Sequence, residues 1–323
     1  MLNLAAFNHQ SKAMQEQPIY IIGAGAVGKT LAVFLTLAGR QVYLLRGSVF
    51  NAPVTYEEMT ILAADNNKYV AKLEIGCLAD FTRLGGLVVL ANKAFGNQAL
   101  SVSLRGKLNG NPLLVLQNGL NIEKAFLKQN FEHIYRCVLM LTCQFEDPHT
   151  IRYKPVRECP VGIIRGDEET LTRLLHKIQT LQFRFSKCDE IQSLIWKKVI
   201  ANCVFNSICP LLHIDNGIFY RNEVARDMAK ELIVSCMTLA HAKGIAITPE
   251  DVFNNVMQIS QMSDGQYIST LQDILHHRPT EMDALNIELA RLADEIGIGA
   301  TMKEIALLGR LTKLKAAINL KNM

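Results

Sequence analysis

The stretch Ile19-Tyr20-Ile21-Ile22-Gly23-Ala24-Gly25-Ala26-Val27-Gly28 decides the fold class of this chain. Four apolar residues of β type run into a G-x-G-x-x-G pattern, which opens a helix predicted over residues 29–38. In such a unit the glycines permit a tight turn, close approach of a pyrophosphate and close packing of helix on strand. The helix start also favours an anion. We therefore predict a dinucleotide site formed by Gly23, Ala24, Gly25, Ala26, Val27 and Gly28, with a purely structural glycine turn as the alternative.

The hydrophobic pattern of the chain changes near residue 190. Before it, apolar runs at residues 41–45, 87–90 and 113–116 predict strands buried on both faces of a parallel sheet, hence an α/β Rossmann domain. After it, helical periodicity predicts helices over residues 191–212, 224–243, 249–262, 280–296 and 301–318. The predicted organisation is an extension over 1–17, a Rossmann domain that binds the cofactor over 18–187, and a mostly α-helical C-terminal domain that binds the substrate over 188–323.

Composition limits the classes of partner. The 323 residues exceed one usual hydrophobic core, and 34 Lys+Arg against 30 Asp+Glu leave a charge of +4, too weak for a dedicated nucleic-acid surface. The eight cysteines form no C-x-x-C pair, no histidine cluster has metal-ligand spacing, and no apolar run reaches the length of a membrane span. We expect a cytoplasmic protein that acts on a small molecule, with no metal, nucleic acid or membrane as partner.

The end of the second predicted strand is where such units distinguish the two nicotinamide dinucleotides. An Asp or Glu there would favour NAD, but this chain has Leu45-Arg46-Gly47-Ser48. The planar guanidinium of Arg46 can pair with a 2′-phosphate, and Ser48 can add a hydrogen bond. We therefore predict NADPH as the cofactor; a solvent-facing arginine at a strand end is the alternative.

Two further strand ends carry polar residues. Lys93 follows the strand at residues 87–90, and Asn118-Gly119 follows the strand at residues 113–116. Because doubly wound sheets bind ligands beyond the carboxyl ends of their strands, we predict that Lys93 contacts a cofactor phosphate or ribose and that Asn118 hydrogen-bonds beside the nicotinamide. Asn-Gly also suits a simple tight turn, so for Asn118 both interpretations stay open.

One predicted helix carries a narrow polar stripe. Lys198, Asn202 and Asn206 recur at every fourth position and share a helix face. The neighbouring row of Lys197, Ala201 and Phe205 is interpreted as a packing face that begins with an exposed or snorkelling ammonium. Lys198 is thus the better chemical candidate, and a lightly polar surface stripe is the alternative.

The region after residue 275 offers weaker signals. Thr280 and Asp283 have the spacing of a capping box, which would put Glu281 in the first turn of the helix over 280–296, where a structural role is the default. His276 and His277 are adjacent, but no carboxylate or histidine at metal-ligand spacing supports them, so we interpret both as surface residues.

Taken together, these motifs resemble the ketopantoate reductase (2-dehydropantoate 2-reductase) family, from Ile19 to about Leu308. The resemblance implies an NADPH-dependent reductase whose cleft lies between a Rossmann and a helical domain, and which reduces ketopantoate to pantoate in pantothenate and coenzyme A biosynthesis. The residues that carry it are the glycine motif, Arg46, Lys93-Ala94, Asn118-Gly119, Trp196-Lys197-Lys198, Asn202, Asn206, Asn216-Gly217, Ser269-Thr270-Leu271-Gln272-Asp273 and Arg278-Pro279-Thr280-Glu281-Met282-Asp283.

The resemblance also implies a role for each matching residue. Lys198 would be the general acid, Asn202, Asn206 and Asn216 would hold the substrate, and Asn118 would contact both nicotinamide and substrate. Arg46 and Lys93 would lie by the cofactor phosphate, and Glu281 in a catalytic or cofactor-contacting position. Thr270 stands where the family commonly has Ser, with the same hydroxyl for the substrate carboxylate, and Asp273 would support the site. An ammonium at Lys198 suits charge that develops on a carbonyl oxygen.

Two departures from the family pattern leave the substrate open. Asn286 is followed by Ile287 where the family usually has Asn-Gly, and residues 142–147 lack the small residues expected beside the nicotinamide. The alternatives are a reductase of a related 2-oxo acid, a β-hydroxyacid dehydrogenase, and a non-catalytic NADPH-binding sensor. The sequence leaves the oligomeric state open as well, with a homodimer as one option.

Overall fold

The computed structural model describes residues 17–47 and 52–321. An α/β part spans residues 19–187 and a helical part follows from residue 191, so the predicted fold class is confirmed. By their internal contacts the residues form two compact units. The α/β unit contains residues up to Gln117 together with Glu123–Ile191, and the helical unit contains Asn118–Ile122 together with residues from Gln192 onward. The domain limits 17/18 and 187/188 stay predictions, and the extension before Gln17 lies outside the described residues.

The strands of the described residues belong to one eleven-stranded sheet. Their bounds are β1 Ile19–Ile22, β2 Val42–Arg46, β3 Thr55–Ala63, β4 Lys68–Cys77, β5 Leu87–Leu90, β6 Leu113–Val115, β7 Ile134–Cys137, β8 Leu141–Asp147, β9 Thr150–Pro155, β10 Cys159–Arg165 and β11 Phe185–Lys187. The spatial order is β11-β10-β7-β6-β5-β1-β2-β4-β3-β9-β8.

The middle of this sheet is parallel and lies around β1. Ile19 aligns with Val42 of β2 on one side and with Leu87 of β5 on the other. The chain order therefore reverses at β1, and such a switch point is where doubly wound sheets bind ligands, beyond the carboxyl ends of the strands. All four residues of β1 and of β5 are buried, as their unbroken apolar runs predict.

The helices of the α/β unit are α1 Ala26–Leu37, α2 Asn97–Arg105, α3 Lys124–Lys128 and α4 Glu168–Ile178. From residue 191 onward the helices are α5 Ile191–Leu212, α6 Ile218–Arg221, α7 Glu223–Ala242, α8 Pro249–Met262, α9 Ser269–Leu275, α10 Asn286–Glu295 and α11 Lys303–Lys321. Local chemistry explains several starts: the Asn222 side chain accepts a bond from the N–H of Ala225 before α7, and that of Thr248 from the N–H of Asp251 before α8.

One predicted helix is wrong in its first part. Residues 280–296 do not form a single helix: a 3₁₀ turn over Met282–Ala284 comes first, and α10 begins only at Asn286. The carbonyl of Ala284, which a continuous helix would use internally, accepts a bond from the N–H of Leu120 instead (2.9 Å). The capping box of Thr280 and Asp283 therefore does not form. Glu281 precedes the turn rather than lying in a helical first turn, and Asp283 pairs with Lys313.

The other differences are small or are omissions. α1 begins at Ala26, three residues before its predicted start, and α11 at Lys303, two residues after it. The strands β3, β4 and β7 to β11 and the helices α2, α3, α4, α6 and α9 are not among the predicted elements. Shifts of one to three residues are expected where the end of an element depends on its cap rather than on its apolar pattern.

All eight cysteines lie within the described residues, and none of them forms a disulfide bond there. Burial raises the pKa of Cys209 and of Cys236 to about 12, so both thiols stay protonated at neutral pH. Among the described helices none combines the length and apolarity that crossing a bilayer requires. The cytoplasmic location stays a prediction.

Candidate active site

The glycine motif forms a turn that only glycine permits at two of its three positions. Gly23 has φ +121°, and a Cβ there would lie 2.3 Å from the backbone nitrogen of Asn92. A Cβ on Gly28 would lie 1.9 Å from the carbonyl oxygen of Gly23. Gly25 differs: it is the exposed N-cap of α1, and apart from its chain neighbours no atom of the described residues lies within 4 Å of where its Cβ would stand. The turn thus packs tightly on one side and leaves open space at a helix N-terminus, as a pyrophosphate site requires.

The other residues of the motif complete this turn. Ala24, Ala26 and Val27 are half-buried, and the first turn of α1 contains no acidic residue to repel an anion. Lys29 follows on α1, but its buried ammonium pairs with Glu57 of β3. The unpaired N–H groups of the helix start are therefore the main attraction that the motif offers to a phosphate.

Arg46, the last residue of β2, is tied to neighbouring strands and is not the solvent-facing arginine of the alternative interpretation. Its Nη1 donates to the carbonyl oxygens of Ile75 (3.0 Å) and Pro53 (3.2 Å), and its Nη2 donates to Thr55 Oγ1 (2.6 Å). These three acceptors are neutral oxygens. They orient the guanidinium without cancelling its charge, which keeps Arg46 suited to an anion. Ser48 lies outside the described residues.

A cluster of three side-chain amides, which the sequence did not reveal, supports the ends of β5 and β6. The amides of Asn97 and Gln117 donate to each other (2.8 Å both ways), and Gln117 Nε2 also donates to Asn92 Oδ1 (3.2 Å). Asn92 Nδ2 in turn donates to the carbonyl of Lys93 (3.0 Å), which is half-buried at the start of a 3₁₀ turn. The cluster thus orients the backbone of Lys93. The only sequence signal is that Asn92 and Gln117 each precede a predicted site residue.

Asn118 leaves the end of β6 on a sharp turn. Gly119 has φ +114°, and Leu120 donates its N–H to the carbonyl of Ala284. The positive φ of Gly119 fits the turn interpretation. It is compatible with a ligand contact at Asn118, which is half-buried.

In the helical unit, the polar stripe lies along α5. Lys198 and Asn202 are half-buried, and Asn206 is only 2% exposed. The C-terminal end of the stripe is therefore buried and is not part of the protein surface. On the adjacent row Ala201 and Phe205 are buried, as predicted for a packing face. That row begins with Lys197, whose Nζ lies 3.1 Å from Asp251 Oδ2 of α8.

Three predicted substrate residues are buried close to the backbone of neighbouring segments. Asn206 Oδ1 accepts a bond from the N–H of Thr270 (3.4 Å), which is 3% exposed in the first turn of α9. Asn216 is 6% exposed; its N–H donates to the carbonyl of Gln266 (2.9 Å), and its carbonyl accepts from Ser260 Oγ (2.6 Å). Its Oδ1 has no hydrogen-bond partner among the described residues. Since an unsatisfied buried acceptor is unfavourable, this atom is suited to a ligand donor.

The turn that holds Asn216 is fixed by Asp215. Asp215 Oδ1 accepts bonds from the N–H groups of Gly217 (2.7 Å) and Gly265 (3.2 Å), and Oδ2 accepts from Arg221 Nη2 (2.8 Å). The hydrogen bond from Arg221 lowers the pKa of Asp215 to about 2. The carboxylate is therefore charged at neutral pH and holds the turn from three directions.

The remaining predicted residues lie around α9 and the 3₁₀ turn. Asp273 is 4% exposed and accepts a bond from Arg278 Nε (3.1 Å), which fits a supporting role. Glu281 is half-buried, and its carbonyl accepts from the N–H of Ala284 (3.0 Å). His276 is exposed, and His277 Nδ1 lies 2.9 Å from the carbonyl oxygen of Asn319. Across residues 17–47 and 52–321, no three His, Cys, Asp or Glu residues group as metal ligands.

We expect Gly28→Ala to affect mainly the stability of the fold and Gly25→Ala to affect mainly nucleotide binding. Gly28→Ala should destabilise the fold by about 1–3 kcal/mol, because its Cβ meets backbone that cannot move aside. Gly25→Ala should leave the thermal midpoint near that of the wild type but weaken binding of a nicotinamide dinucleotide, because the methyl group occupies the open side of the turn. Thermal unfolding measures the first effect, and fluorescence titration with reduced nicotinamide dinucleotides measures the second. Equal midpoints for the two variants would contradict this account of the turn.

Comparison with known proteins covers most of the chain. Residues 19–166 match the family model described as ketopantoate reductase PanE/ApbA, and residues 190–314 match the model for the C-terminal part of the same family. The 2-dehydropantoate 2-reductase of Pyrococcus abyssi is 26% identical over 305 residues, which cover 93% of this chain and 98% of the relative. The Streptococcus pyogenes serotype M1 enzyme of the same name is 24% identical over 284 residues, which cover 87% and 92%.

Solved structures share the fold. A ternary structure of D-mandelate dehydrogenase with NADH and anilino(oxo)acetate superposes with a TM-score of 0.80 at 21% identity, covering 94% of this chain and 99% of that one. A dimeric ketopantoate reductase from Staphylococcus aureus superposes with a TM-score of 0.75 at 20% identity, covering 93% and 99%. The matches to both family models confirm the resemblance seen in the sequence motifs: this chain belongs to the ketopantoate reductase PanE/ApbA family and is an enzyme of that family, a 2-oxo acid reductase.

Proposed function

We propose that this enzyme reduces ketopantoate to pantoate with NADPH as the hydride donor. The observation that carries the proposal is the polar stripe of α5, where Lys198 and Asn202 share a face with a buried Asn206 that meets Thr270. A 2-oxo acid presents a carboxylate and a carbonyl oxygen on which charge develops. Amide, hydroxyl and ammonium groups are the side chains that recognise and stabilise these atoms. The full-length relative from Pyrococcus abyssi, named 2-dehydropantoate 2-reductase, supports the choice of substrate.

The proposed chemistry assigns one proton to Lys198. When bound, the reduced nicotinamide supplies a hydride to the ketone carbon. As the new C–H bond forms, the electron pair of the carbonyl π bond moves onto oxygen, where the Lys198 ammonium stabilises the charge and donates a proton. The product is a 2-hydroxy acid, and the neutral amine regains its proton from solvent. Asn202, Asn206, Asn216 and Thr270 would hold the substrate in the reactive orientation.

The residues of the α/β unit fit a dinucleotide. Gly25 leaves open space at the N-terminus of α1, and the guanidinium of Arg46 is oriented by neutral acceptors at the end of β2. In the proposal the glycine turn binds the pyrophosphate, and Arg46 and Lys93 bind the phosphate that distinguishes NADPH from NADH. Asn118 contacts the nicotinamide and the substrate, and Glu281 has a catalytic or cofactor-contacting role.

A related 2-oxo acid is the second candidate substrate, because D-mandelate dehydrogenase is among the structures that share this fold. The two departures from the family pattern do not decide between the candidates. Ile287 packs toward α11, with its Cδ1 3.1 Å from where a Cβ on Gly309 would stand. On β8 the ring centroid of Phe145 lies 5.6 Å from the ammonium of Lys29. Membership of a family of 2-oxo acid reductases argues against the other two alternatives, the β-hydroxyacid dehydrogenase and the non-catalytic sensor.

The first test is a panel of 2-oxo acids assayed by loss of NADPH absorbance. We expect ketopantoate to have the highest kcat/KM, and Lys198→Ala to lower kcat at least about 100-fold while NADPH binding is unchanged. Lys197→Ala is the matched control, because it removes the adjacent ammonium, which pairs with Asp251. Equal turnover by Lys198→Ala and the wild type would remove Lys198 from the mechanism, and a higher kcat/KM for another 2-oxo acid would replace ketopantoate.

The cofactor choice is tested separately. We expect the wild type to prefer NADPH to NADH, and Arg46→Gln to lower kcat/KM for NADPH by roughly 10- to 100-fold, since a hydrogen-bonded charge pair is lost. The same variant assayed with NADH is the internal control, because NADH lacks the 2′-phosphate and should be used as before. A wild type that prefers NADH would contradict the role given to Arg46.

We also propose that the enzyme is a homodimer, as the Staphylococcus aureus structure is described. On α11 the exposed residues Leu307, Leu311, Leu314 and Ile318 recur at spacings of four, three and four. This is the period of a two-stranded helical seam, and a two-fold axis would place the stripe against its copy.

Light scattering tests the dimer. We expect twice the chain mass for the wild type and one chain mass for Leu311→Glu. Leu181→Glu, at an exposed site of the α/β unit, is the control and should stay dimeric. A monomeric wild type would reject the dimer, and a dimeric Leu311→Glu would reject this stripe as its interface.

A further inference from the structure

The segment Asn118–Ile122 belongs to the helical unit although the residues on both sides of it belong to the α/β unit. Two of its apolar side chains, Leu120 and Ile122, are buried. Its backbone is bonded to the 3₁₀ turn over Met282–Ala284, because the N–H of Leu120 donates to the carbonyl of Ala284 (2.9 Å). The short segment that carries Asn118 is therefore held by helical-unit residues that lie far away in the chain.

A short chain of backbone hydrogen bonds connects this segment to Glu281. Ala284 accepts from the N–H of Leu120, and its own N–H donates to the carbonyl of Glu281 (3.0 Å). Space is tight here, since a Cβ on Gly119 would lie 2.5 Å from Ala284 Cβ and 2.8 Å from its carbonyl oxygen. Two residues to which the proposed function gives roles, Asn118 and Glu281, thus lie on either side of one closely packed contact.

A side-chain contact holds the same segment at a second point. Asn121 has φ +55°, a left-handed conformation that asparagine tolerates, and its Nδ2 donates to Glu288 Oε1 of α10 (2.7 Å). Arg291 binds the same carboxylate with two nitrogens, Nε to Oε2 (2.7 Å) and Nη2 to Oε1 (2.5 Å), and Glu288 raises the pKa of Arg291. Arg291 also pairs with Glu295 one turn further along α10. Glu288 is therefore oriented on its own helix before it accepts the bond from Asn121.

We propose that Asn121 and Glu288 are positioning residues, which fix the Asn118 segment so that the Asn118 side chain has one location relative to Glu281. This inference rests on the proposed function for the roles of Asn118 and Glu281. The anchoring contact is a charge-assisted hydrogen bond, which is stronger than a neutral one. Its loss would free a segment with two left-handed residues to adopt other conformations, and small displacements of a group that orients reactants lower the rate strongly.

The first measurement is amide hydrogen exchange of residues 118–122, which requires no activity. We expect faster exchange in Asn121→Gly and in Glu288→Ala than in the wild type. Glycine tolerates the backbone conformation of Asn121, so the first variant removes the side-chain bond without steric strain. Glu295→Gln is the matched control, because it removes the other carboxylate partner of Arg291 and should leave exchange of the segment unchanged. Unchanged exchange in both test variants would overturn the proposal.

The second measurement separates positioning from stability. We expect Asn121→Gly and Glu288→Ala to lower kcat/KM for the 2-oxo acid by roughly 10- to 100-fold, with thermal midpoints close to that of Glu295→Gln. Glu288→Gln keeps the acceptor oxygen for Asn121 and should restore most of the activity that Glu288→Ala loses. Full activity in the two test variants despite faster exchange would also overturn the proposal. If the wild type reduces no 2-oxo acid, the proposed function fails. The exchange measurement still shows whether Asn121 and Glu288 hold the segment Asn118–Ile122 in place.

Discussion

The α/β unit depends on a backbone contact that excludes any side chain: the α-carbon of Gly28 lies against the carbonyl oxygen of Gly23. This contact lets α1 begin one residue after its N-cap Gly25 and pack directly on β1. Because β1 stands between β2 and β5, the same turn adjoins the end of β5 at Asn92. The open helix N-terminus and the end of β5 next to it are thus consequences of one close approach.

The helical unit buries several polar side chains within a mostly apolar core, and these groups must be satisfied. Backbone groups supply most of the partners: Thr270 donates its N–H to Asn206, and the carbonyl of Asn216 accepts from Ser260. Among the described residues, the Oδ1 atoms of Asn216 and Asn286 are exceptions, and an unsatisfied acceptor of this kind can bind a ligand donor. Burial restricts the side chains of Asn206 and Asn216, so these residues lose less conformational entropy when a ligand binds.

The turn before α10 shows how tertiary contacts override a local pattern. Thr280 and Asp283 have the spacing of a capping box, but the carbonyl of Ala284 is bonded to Leu120 rather than within a helix. The interaction that breaks the predicted helix is also the one that brings the segment of Asn118 to the turn after Glu281. The wrong secondary-structure prediction therefore falls where the bond from Leu120 to Ala284 joins the segments that carry Asn118 and Glu281.

The sequence by itself determined the order of an α/β and a helical part, the glycine turn after β1, the polar stripe of α5 and the family of the chain. These features follow from apolar periodicity, from backbone conformations open only to glycine, and from motif spacing, all of which are local. Only the tertiary structure decided that Asn92, Asn97 and Gln117 form one amide cluster, that Arg46 is bonded to β3 and β4, and that Glu288 anchors Asn121. Each of these contacts joins segments distant in the chain, and their pairing depends on how the whole core packs, which no local period encodes.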